Sequence, residues 1–425
     1  MTDNRVVVTG MGVCAPNGIG LAAFRQALVE GKSGIRHHSI LEELKFRCQV
    51  AGAPDLNDID IDHYLTRVEQ RGLNASGIIY GMIAGQDAWV DAGLEIGPEK
   101  TDYSTGVIMG VGLSGPDKFR DGTYLIDDGQ IRRLSSNTVI QTMGSGCASM
   151  LAGRIGAGNQ VTANSSACAT GTEAIIMGYE RIRSGQATTM LVGSTCASSP
   201  YIWAGFDAMR ILPSVYNDTP HQASRPLSAS AKGFVPSSGS GALVIESLEH
   251  ARQRGAEIYA EIISGHVSSG GQRDGGSLTS PNPLGVQTCI QRTIASATTP
   301  INKISAINGH LTATTKDADE IQNWKIALTE CELQLAPINS TKGLIGHALS
   351  ASGSIESIAA ILQLHHQEIY ANVNCEDLHP QIADMYDADL IPTTTTQTTE
   401  VDIVLKASFG FGDINACIAF KRYLG

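Results

Sequence analysis

The chain is organised around residues 164–175, which read NSSACATGTEAI and carry a cysteine at position 168. Residues 160–163 before this stretch form a short strand-like run, and residues 173–183 after it repeat apolar side chains at helical spacing. Cys168 is therefore predicted to lie where a strand passes into a helix. Free N–H groups and the helix dipole at a helix start favour the nucleophilic thiolate over the thiol. A lone cysteine is more often a small buried hydrophobic residue, so a catalytic role needs support from other residues.

Two of the eleven histidines provide that support. His310 lies in residues 307–314, INGHLTAT, and His347 lies in residues 339–348, NSTKGLIGHA. Each follows a strand-like run and sits in a loop of small residues, and catalytic groups of α/β sheets collect at such strand ends. Either histidine alone could be an ordinary loop residue. Together with Cys168 they indicate covalent chemistry.

A third stretch, residues 407–415, alternates aromatic residues with glycines and reads ASFGFGDIN. Gly410 and Gly412 allow the backbone to approach a ligand closely, while Phe409 and Phe411 keep two apolar rings available as a lid. Backbone N–H groups exposed in such a turn can stabilise an oxyanion. A plain turn between two strands remains the alternative interpretation.

The composition is typical of a well-buried globular protein. The chain has 425 residues, of which 42% are hydrophobic and 46 are glycine, and its net charge of −12 argues against a nucleic-acid partner. Nine cysteines without a C-x-x-C pair argue against a disulfide framework or a zinc knuckle and favour a reducing compartment. The first apolar run is too short for a signal peptide, and no stretch approaches the roughly 18 apolar residues of a membrane span. We therefore expect a cytoplasmic protein with no membrane association.

Strands alternate with helices in both parts of the chain, which predicts α/β layering. The pattern starts again near residue 256, so two halves are expected, residues 1–255 and residues 256–425. Sequence similarity between these halves is faint and does not by itself establish a duplication.

Two local predictions concern the first half. Residues 5–9 are predicted to be a strand, followed by a turn at Gly10 and Gly12. These glycines also match a dinucleotide-binding fingerprint, but Pro16 would break the helix that holds a pyrophosphate, so the turn is favoured. Residues 120–128 are predicted to be a loop.

Five motifs occur in one order along the chain. They are residues 7–12, 167–171, 224–226, 340–347 and 408–416, which read VVTGMG, ACATG, SRP, STKGLIGH and SFGFGDINA. Together they resemble the β-ketoacyl-acyl carrier protein synthases, condensing enzymes of the thiolase fold, over residues 5–421. So many motifs in the family's order are highly specific. The resemblance implies a thiolase-like five-layer αβαβα sandwich made of two similar halves, the first carrying the cysteine and the second the two histidines.

The resemblance also implies a role for each catalytic residue. Cys168 looks like the nucleophile that accepts the acyl group, and His310 and His347 look like the pair that promotes decarboxylation of malonyl. Lys342 resembles the supporting lysine of the family, with Glu320 as its acidic partner. A thiolate supplies the thioester, and two imidazole N–H donors hold negative charge on an enolate oxygen, so no metal and no cofactor is expected.

The resemblance also implies a role for the aromatic turn. Phe411 looks like the family's gatekeeper and shares an oxyanion hole through its N–H with that of Cys168. Phe409, Gly410 and Gly412 complete this turn.

The implied function is the decarboxylative Claisen condensation of malonyl-acyl carrier protein with an enzyme-bound acyl thioester, in fatty acid or specialised polyene or polyketide synthesis. The implied partner is acyl carrier protein, and the implied assembly is a homodimer, with a heterodimer of related subunits also possible. Carrier proteins are acidic, so docking on this acidic chain needs a local basic patch. The candidates are Arg67, Arg71, Arg132 and Arg133.

Two alternatives remain open. A non-catalytic partner subunit that sets chain length would usually lack the nucleophile, which Cys168 provides here. A thiolase acting on coenzyme A thioesters would need a second cysteine in the final glycine turn, where this chain has Phe409 and Phe411, and Cys417 comes later, inside a predicted strand.

The chain departs from the family pattern at several positions. Leu311 and Ala313 interrupt the usual H-G-T-S-T segment, and Asp413-Ile414 replaces Gly-Thr after the aromatic turn. The usual acidic stretch after the S-R-P motif is altered at Ser228, Ala231, Lys232 and Ser238. These changes are expected to alter the choice of substrate more than the reaction, because the nucleophile and both histidines are present.

Overall fold

The structure, a computed structural model, describes residues 4–398 and 400–425. Residues 1–3, which the prediction placed in the N-terminal half, lie outside the described residues. The strands are β1 (Val6–Ala15), β2 (Gly18–Ile19), β3 (Ile35–His37), β4 (Val50–Gly52), β5 (Thr105–Val111), β6 (Val161–Thr162), β7 (Thr189–Cys196), β8 (Gly239–Ser247), β9 (Ala260–Ser269), β10 (Ala306–Asn308), β11 (Ile338–Asn339), β12 (Glu368–Ile369), β13 (Thr396–Gln397), β14 (Ile403–Gly410) and β15 (Ile414–Lys421). The α-helices are α1 (Leu21–Glu30), α2 (Ser39–Glu43), α3 (Arg67–Gln70), α4 (Ser76–Asp91), α5 (Pro116–Asp127), α6 (Thr138–Thr142), α7 (Gly146–Ile155), α8 (Thr170–Arg183), α9 (Pro200–Ala208), α10 (Leu248–Gln253), α11 (Pro283–Ala295), α12 (Asp317–Glu330), α13 (Lys342–Ile345), α14 (Ser352–His366) and α15 (Pro380–Met385). Within this part of the chain, no helix combines the length and apolar character needed to cross a lipid bilayer.

The main strands form one continuous hydrogen-bonded path that divides into two five-stranded sheets with the same order. In the N-terminal sheet the order is β6-β5-β7-β8-β1, and in the C-terminal sheet it is β11-β10-β14-β15-β9. Strand directions also match, since β5–β7 and β10–β14 are parallel while β7–β8 and β14–β15 are antiparallel. The two sheets join where residues 6–8 of β1 pair with residues 260–262 of β9. The chain is thus built from two similar halves.

Helices α8 and α14 lie between the two sheets and contact strands of both. Helix α4 covers the N-terminal sheet through β1, β7 and β8, and α11 covers the C-terminal sheet through β9 and β15. Residues 352–364 of α14 are all buried, as expected for a helix with protein on every face. This layering confirms the predicted αβαβα sandwich.

The predicted turn at Gly10 and Gly12 is wrong, because both glycines lie inside β1. The strand continues to Ala15 and pairs with β8 along its length. A Cβ on Gly12 would lie 2.1 Å from the carbonyl oxygen of Ala84, and one on Gly10 would lie 2.3 Å from that of Ala88. These glycines therefore allow α4 to pack directly on the strand backbone.

The predicted loop at residues 120–128 is also wrong, since most of it belongs to α5. This helix leaves Phe119, Tyr124 and Ile126 more than half exposed and buries only Gly122 among its described residues. The apolar side chains of α5 therefore do not face the core of this chain, which is why the sequence pattern did not indicate a helix packed on a sheet.

Candidate active site

Cys168 lies in a 3₁₀ turn, Ala167–Ala169, directly before α8. The predicted change from strand to helix is present, since β6 ends at Thr162 and α8 begins at Thr170. Ala167 has a φ of 49°, a left-handed conformation that residues with a Cβ rarely adopt. The strained turn directs the Cys168 side chain toward a cavity, which it helps to line.

His347 places its ring against the thiol. Its Nε2 lies 3.1 Å from Sγ of Cys168. The backbone N–H of Leu349 donates to Nδ1 at 3.3 Å, and Oγ of Ser352 lies 2.8 Å from the same nitrogen. Because Nδ1 accepts a hydrogen bond, the proton of the neutral ring resides on Nε2 and points at the sulfur.

His310 completes a compact group with these two side chains. Its ring centroid lies 5.2 Å from that of His347 at an interplanar angle of 83°. The sulfur of Cys168 and one ring nitrogen from each histidine all lie within 4.8 Å of one another. Nδ1 of His310 is buried and has no hydrogen-bond partner among the described residues. A buried nitrogen without a hydrogen-bond partner is energetically unfavourable.

Both imidazoles are neutral at physiological pH. Burial lowers the pKa of His310 and of His347 well below 6.5, and the charges of Lys342 and Lys406 lower both values further. A neutral imidazole donates one N–H without adding a positive charge that would itself need a counter-ion. The pair is therefore arranged to stabilise negative charge that develops during a reaction.

A buried ion cluster lies behind the histidines. Nζ of Lys342 is 2.5 Å from Oε1 of Glu356, and Nζ of Lys406 is 2.8 Å from Oε2 of the same carboxylate. All three side chains are at most 1% exposed. Glu356 and Lys406 were not predicted as site residues, although a lone carboxylate in the apolar helix α14 and a lone lysine in the apolar strand β14 are visible signals in the sequence.

Glu320 was predicted to be the acidic partner of Lys342, but the structure pairs Lys342 with Glu356. The two carboxylate oxygens of Glu320 each accept a backbone N–H at 2.7 Å, one from His310 and one from Leu311. Burial raises the pKa of Glu320 to about 7, against the effect of these hydrogen bonds. Glu320 thus fixes the backbone that carries His310 and acts on the site through it.

The aromatic turn lies over the nucleophile. The backbone N–H of Phe411 lowers the pKa of the Cys168 thiol, and the Phe409 ring lies 6.2 Å from that of His310. A Cβ on Gly410 would lie 3.1 Å from the backbone nitrogen of Cys168. The absence of a side chain therefore lets this turn contact the cysteine turn directly. Gly412 donates its N–H to the carbonyl oxygen of Leu278 at 2.7 Å, which ties the turn to the loop before α11.

The acidity of the thiol differs from the prediction. The start of a helix was expected to favour the thiolate, but burial raises the pKa of Cys168 to about 11, against the N–H of Phe411 and the charge of Lys342. Desolvation of the anion outweighs these favourable contacts. The resting group is therefore a thiol, and the thiolate forms when a reactant approaches.

This acidity predicts how the thiol reacts with iodoacetamide. Below a pKa of about 11 the thiolate fraction grows about tenfold for each pH unit, so alkylation of Cys168 should still accelerate between pH 9 and pH 10. The rate is measured by peptide mass spectrometry in a Cys331→Ala background, because Cys331 is partly exposed. A rate that levels off below pH 8 would contradict the prediction.

The cavity in front of Cys168 has a volume of about 470 Å³. One part is apolar and is lined by Ile202, Phe206 and Phe234. The Phe206 ring contacts Phe234 at 5.3 Å and Phe411 at 6.1 Å between centroids. Another part is polar. It is lined by the loop before α12, including Thr314 and Lys316, and by the start of α12 itself, including Asp319. The cavity can hold an apolar chain next to the sulfur and a polar group beyond it.

The four arginines predicted to dock a partner lie elsewhere on the surface. Arg67, Arg71, Arg132 and Arg133 are exposed and are not among the described residues that line the cavity. The segment that carries Arg67 and Arg71 lies close to the segment that carries Arg132 and Arg133. Gln141, which follows the second pair, forms side-chain hydrogen bonds with the backbone at positions 72, 74 and 75, which follow the first pair. In the described part of the chain none of the four forms an ion pair, so their positive charge is uncompensated.

The sulfur of Cys168 and one ring nitrogen each of His310 and His347 are close enough together that they could also hold a metal ion. We assign them to covalent chemistry, because the N–H of His347 points at the sulfur and the cysteine begins a helix. The expectation that no metal and no cofactor takes part stays a prediction.

Comparison with known proteins gives a consistent result. Residues 3–251 match the Beta-ketoacyl synthase, N-terminal domain, and residues 259–376 match the Beta-ketoacyl synthase, C-terminal domain. The chain is 34% identical to 3-oxoacyl-[acyl-carrier-protein] synthase 2 of Vibrio harveyi, with 99% of each chain covered, and 34% identical to the chloroplastic synthase I of Arabidopsis thaliana, with 99% of this chain and 87% of that protein covered. Among solved structures it resembles a Beta-ketoacyl synthase from Burkholderia phymatum (TM-score 0.88, 27% identity, 99% and 100% covered). It also resembles a type II polyketide ketosynthase in complex with its acyl carrier protein (TM-score 0.87, 28% identity, 99% and 100% covered).

Proposed function

Because the chain belongs to the β-ketoacyl synthase family and is a condensing acyltransferase, we propose that Cys168, His310 and His347 perform the decarboxylative Claisen condensation of malonyl-acyl carrier protein with an enzyme-bound acyl group. The observation that carries this proposal is the compact group formed by one sulfur and two neutral imidazoles at the end of a partly apolar cavity. The roles of the individual residues follow from their contacts.

The first step is acyl transfer. The sulfur of Cys168 attacks the thioester carbonyl of the acyl donor, a new S–C bond forms, and the carrier thiol leaves with the proton that Cys168 gives up. The N–H groups of Cys168 and Phe411 stabilise the oxyanion of this step. The N–H of His347, 3.1 Å from the sulfur, stabilises the thiolate while it forms.

The second step is decarboxylation and condensation. Malonyl loses CO₂, and the electron pair of the broken C–C bond becomes an enolate whose oxygen is held by N–H donors of His310 and His347. The enolate carbon attacks the acyl-enzyme carbonyl, the S–C bond breaks, and the thiolate of Cys168 takes up one proton to restore the thiol. Neutral imidazoles suit this role, since they stabilise the enolate without protonating it.

The alternatives are not favoured. A non-catalytic subunit has no need of a thiol in contact with an imidazole. A thiolase would need a second reactive cysteine, but Cys417 is fully buried in β15, where burial raises the pKa of its thiol to about 12. The family comparisons also point to a condensing enzyme.

The proposal is tested by incubating the purified protein first with acyl-carrier thioesters of several chain lengths and then with malonyl-carrier protein. We expect one CO₂ and one 3-oxoacyl-carrier product for each acyl group transferred, measured by intact mass spectrometry. A matched Cys196→Ala variant, which changes another thiol of the same cavity, should retain the reaction. Acylation without release of CO₂ or formation of product would contradict the proposal.

Acyl carrier protein is the proposed partner, and the uncompensated arginines support this assignment. The double variant Arg67→Glu, Arg71→Glu should raise the apparent KM for carrier-bound substrate about tenfold or more and leave the rate with small soluble thioesters unchanged, because electrostatic attraction acts only on the acidic carrier. Reversal of the exposed Lys303 on the C-terminal half provides the control. Unchanged kinetics with the carrier would remove these arginines from the docking surface.

The proposed assembly is a homodimer, with a heterodimer of related subunits as the alternative. Exposed apolar side chains cluster on α5 and the segment after it, including Phe119, Tyr124, Ile131 and Val139. The end strand β6 pairs with β5 alone among the described residues. An exposed apolar surface and an unpaired strand edge are each typical of a subunit interface. A monomer in sedimentation experiments on the purified protein would contradict the assignment.

The boundary of the two halves and the location of the protein are also proposals. The division between residues 255 and 256 is supported by the repeated strand order and falls between α10 and β9. A cytoplasmic location is supported by nine cysteines that form no disulfide in the structure.

A further inference from the structure

Asp413 is a buried carboxylate that the proposed mechanism leaves unused. It comes directly after Gly412 of the aromatic turn, at a position where the family pattern has glycine. Its side chain is fully buried, and its φ of 61° is a left-handed conformation that aspartate tolerates better than most residues with a Cβ. A buried carboxylate needs hydrogen bonds to its oxygens, so the partners of Asp413 indicate what it does.

Both carboxylate oxygens of Asp413 bind the backbone of segment 270–282, which lies between β9 and α11. Oδ2 accepts the N–H of Gln272 at 2.8 Å, and Oδ1 accepts the N–H of Asn282 at 2.8 Å. The carbonyl oxygen of Asp413 accepts the N–H of Gly270 at 2.9 Å. One residue thus binds the segment near both of its ends.

Two glycines of the segment make room for this carboxylate. A Cβ on Gly270 would lie 2.3 Å from Oδ2 of Asp413, and a Cβ on Gly276 would lie 2.6 Å from the same atom. The backbone can enclose the carboxylate only because both positions lack a side chain. A glycine at position 413 would leave this space empty, so the link depends on the aspartate of this chain.

Segment 270–282 has little else to hold it in place. Of residues 271–279, only Gly276 is not exposed, so no side chain of this range reaches the core. Thr279 and Ser280 nevertheless line the active-site cavity. The placement of this cavity wall therefore depends on its hydrogen bonds to the aromatic turn.

On its other side the aromatic turn contacts the turn that carries the nucleophile. A Cβ on Gly410 would lie 3.0 Å from the carbonyl oxygen of Ser166 and 3.1 Å from the backbone nitrogen of Cys168. The aromatic turn is thus held between the cysteine turn and segment 270–282. A shift on the side of the segment would move Phe411 relative to the sulfur.

We propose that Asp413 is a positioning residue for acyl transfer, which fixes the aromatic turn between the cysteine turn and segment 270–282. The inference rests on the proposed function, in which the N–H of Phe411 stabilises the oxyanion of this step. Asp413 does not touch the reacting atoms and acts through the turn. A displacement of about 1 Å near the reacting atoms lowers a rate by up to about 100-fold, so the link matters for the reaction.

Two variants of Asp413 remove the link in steps. Asp413→Gly removes both carboxylate bonds and suits the left-handed backbone, so it adds no strain. Asp413→Asn also tolerates this conformation but offers one side-chain oxygen in place of two. Asp274→Gly is the matched control, because Asp274 lies in the same segment, has a φ of 50° and is exposed. We expect the Tm of all three variants to stay within about 5 °C of the wild-type value.

Hydrogen exchange measures the link itself. The backbone N–H groups of Gln272 and Asn282 should exchange at least about tenfold faster in Asp413→Gly than in the wild-type protein, because they lose their acceptors. Asp274→Gly should leave the exchange of both groups unchanged.

The rates of the two half-reactions measure the consequence. Acyl transfer to Cys168, followed by intact mass after rapid quenching, should slow about 10- to 100-fold in Asp413→Gly and less in Asp413→Asn. Malonyl decarboxylation should stay within about threefold of the wild-type rate, because His310 and His347 hold the enolate. Asp274→Gly should show wild-type rates in both half-reactions.

Three results would overturn the inference. The first is unchanged exchange of the two N–H groups in Asp413→Gly, and the second is unchanged acyl transfer in the same folded variant. The third is a parallel loss of Tm, acyl transfer and decarboxylation in both Asp413 variants, which would indicate a structural role. Failure of the wild-type protein to transfer acyl groups or to decarboxylate malonyl would instead contradict the proposed function, so the two failures are distinguishable.

Discussion

Replacement of Cys168 by alanine is expected to remove the acyl-enzyme and to lower condensation by about 10⁴-fold or more. The reason is that no other described thiol lies within reach of the two histidines. Cys196 lines the same cavity, but it is 1% exposed and burial raises the pKa of its thiol to about 11. Intact mass after incubation with acyl-carrier thioesters measures the acyl-enzyme directly.

The Cys168→Ala protein should retain malonyl decarboxylation within about tenfold of wild type, because His310 and His347 keep their supports. Glu320 holds the backbone of the first histidine, and Leu349 holds Nδ1 of the second. Cys196→Ala is the matched control and should be acylated as in wild type. Acylation of the Cys168→Ala protein would show that the nucleophile has been misassigned.

Replacement of either histidine by alanine is expected to lower malonyl decarboxylation by about 10²- to 10³-fold, the usual effect of losing one oxyanion donor. The two variants should differ in acyl transfer. His347 contacts the sulfur at 3.1 Å, so His347→Ala should also slow acylation of Cys168. His310→Ala should leave acylation close to the wild-type rate, and stopped-flow measurement of each half-reaction separates these effects.

The double variant His310→Ala, His347→Ala should lose less than the product of the two single losses, because both donors act on one oxygen. His365→Ala provides the control, since this histidine is exposed at the end of α14. If both single variants decarboxylate malonyl at the wild-type rate, the enolate is stabilised by other groups.

The amino-acid sequence predicted the layered fold because its main signals are local. Apolar spacing identified α8 to within a few residues, and motif order identified Cys168 and His347. The prediction at Gly12 was wrong, because this glycine lies in a strand and allows contact with a helix that is distant in sequence. Helix α5 was missed because its apolar residues face away from the chain's own core.

Most residues of the site could be predicted from the sequence, but their ion pairs and pKa values could not. The predicted pairing of Lys342 with Glu320 followed the family pattern. Only the three-dimensional arrangement shows that the ammonium group forms its ion pair with Glu356. The acidity of Cys168 was predicted from the helix start alone, while its value depends on how completely the fold removes water from the sulfur. Lys406 looked like an ordinary strand residue until its burial was known.

The catalytic centre draws on both halves of the sandwich, and this has a consequence for biosynthesis. The ribosome releases Cys168 first, then His310 and His347, and the strands β14 and β15 last. At about 5–20 residues per second, the interval from the cysteine to the final strand is roughly 10 to 50 seconds. During this time the nascent polypeptide carries Cys168 without a complete site, so we expect no productive acyl loading before β14 and β15 have been synthesised.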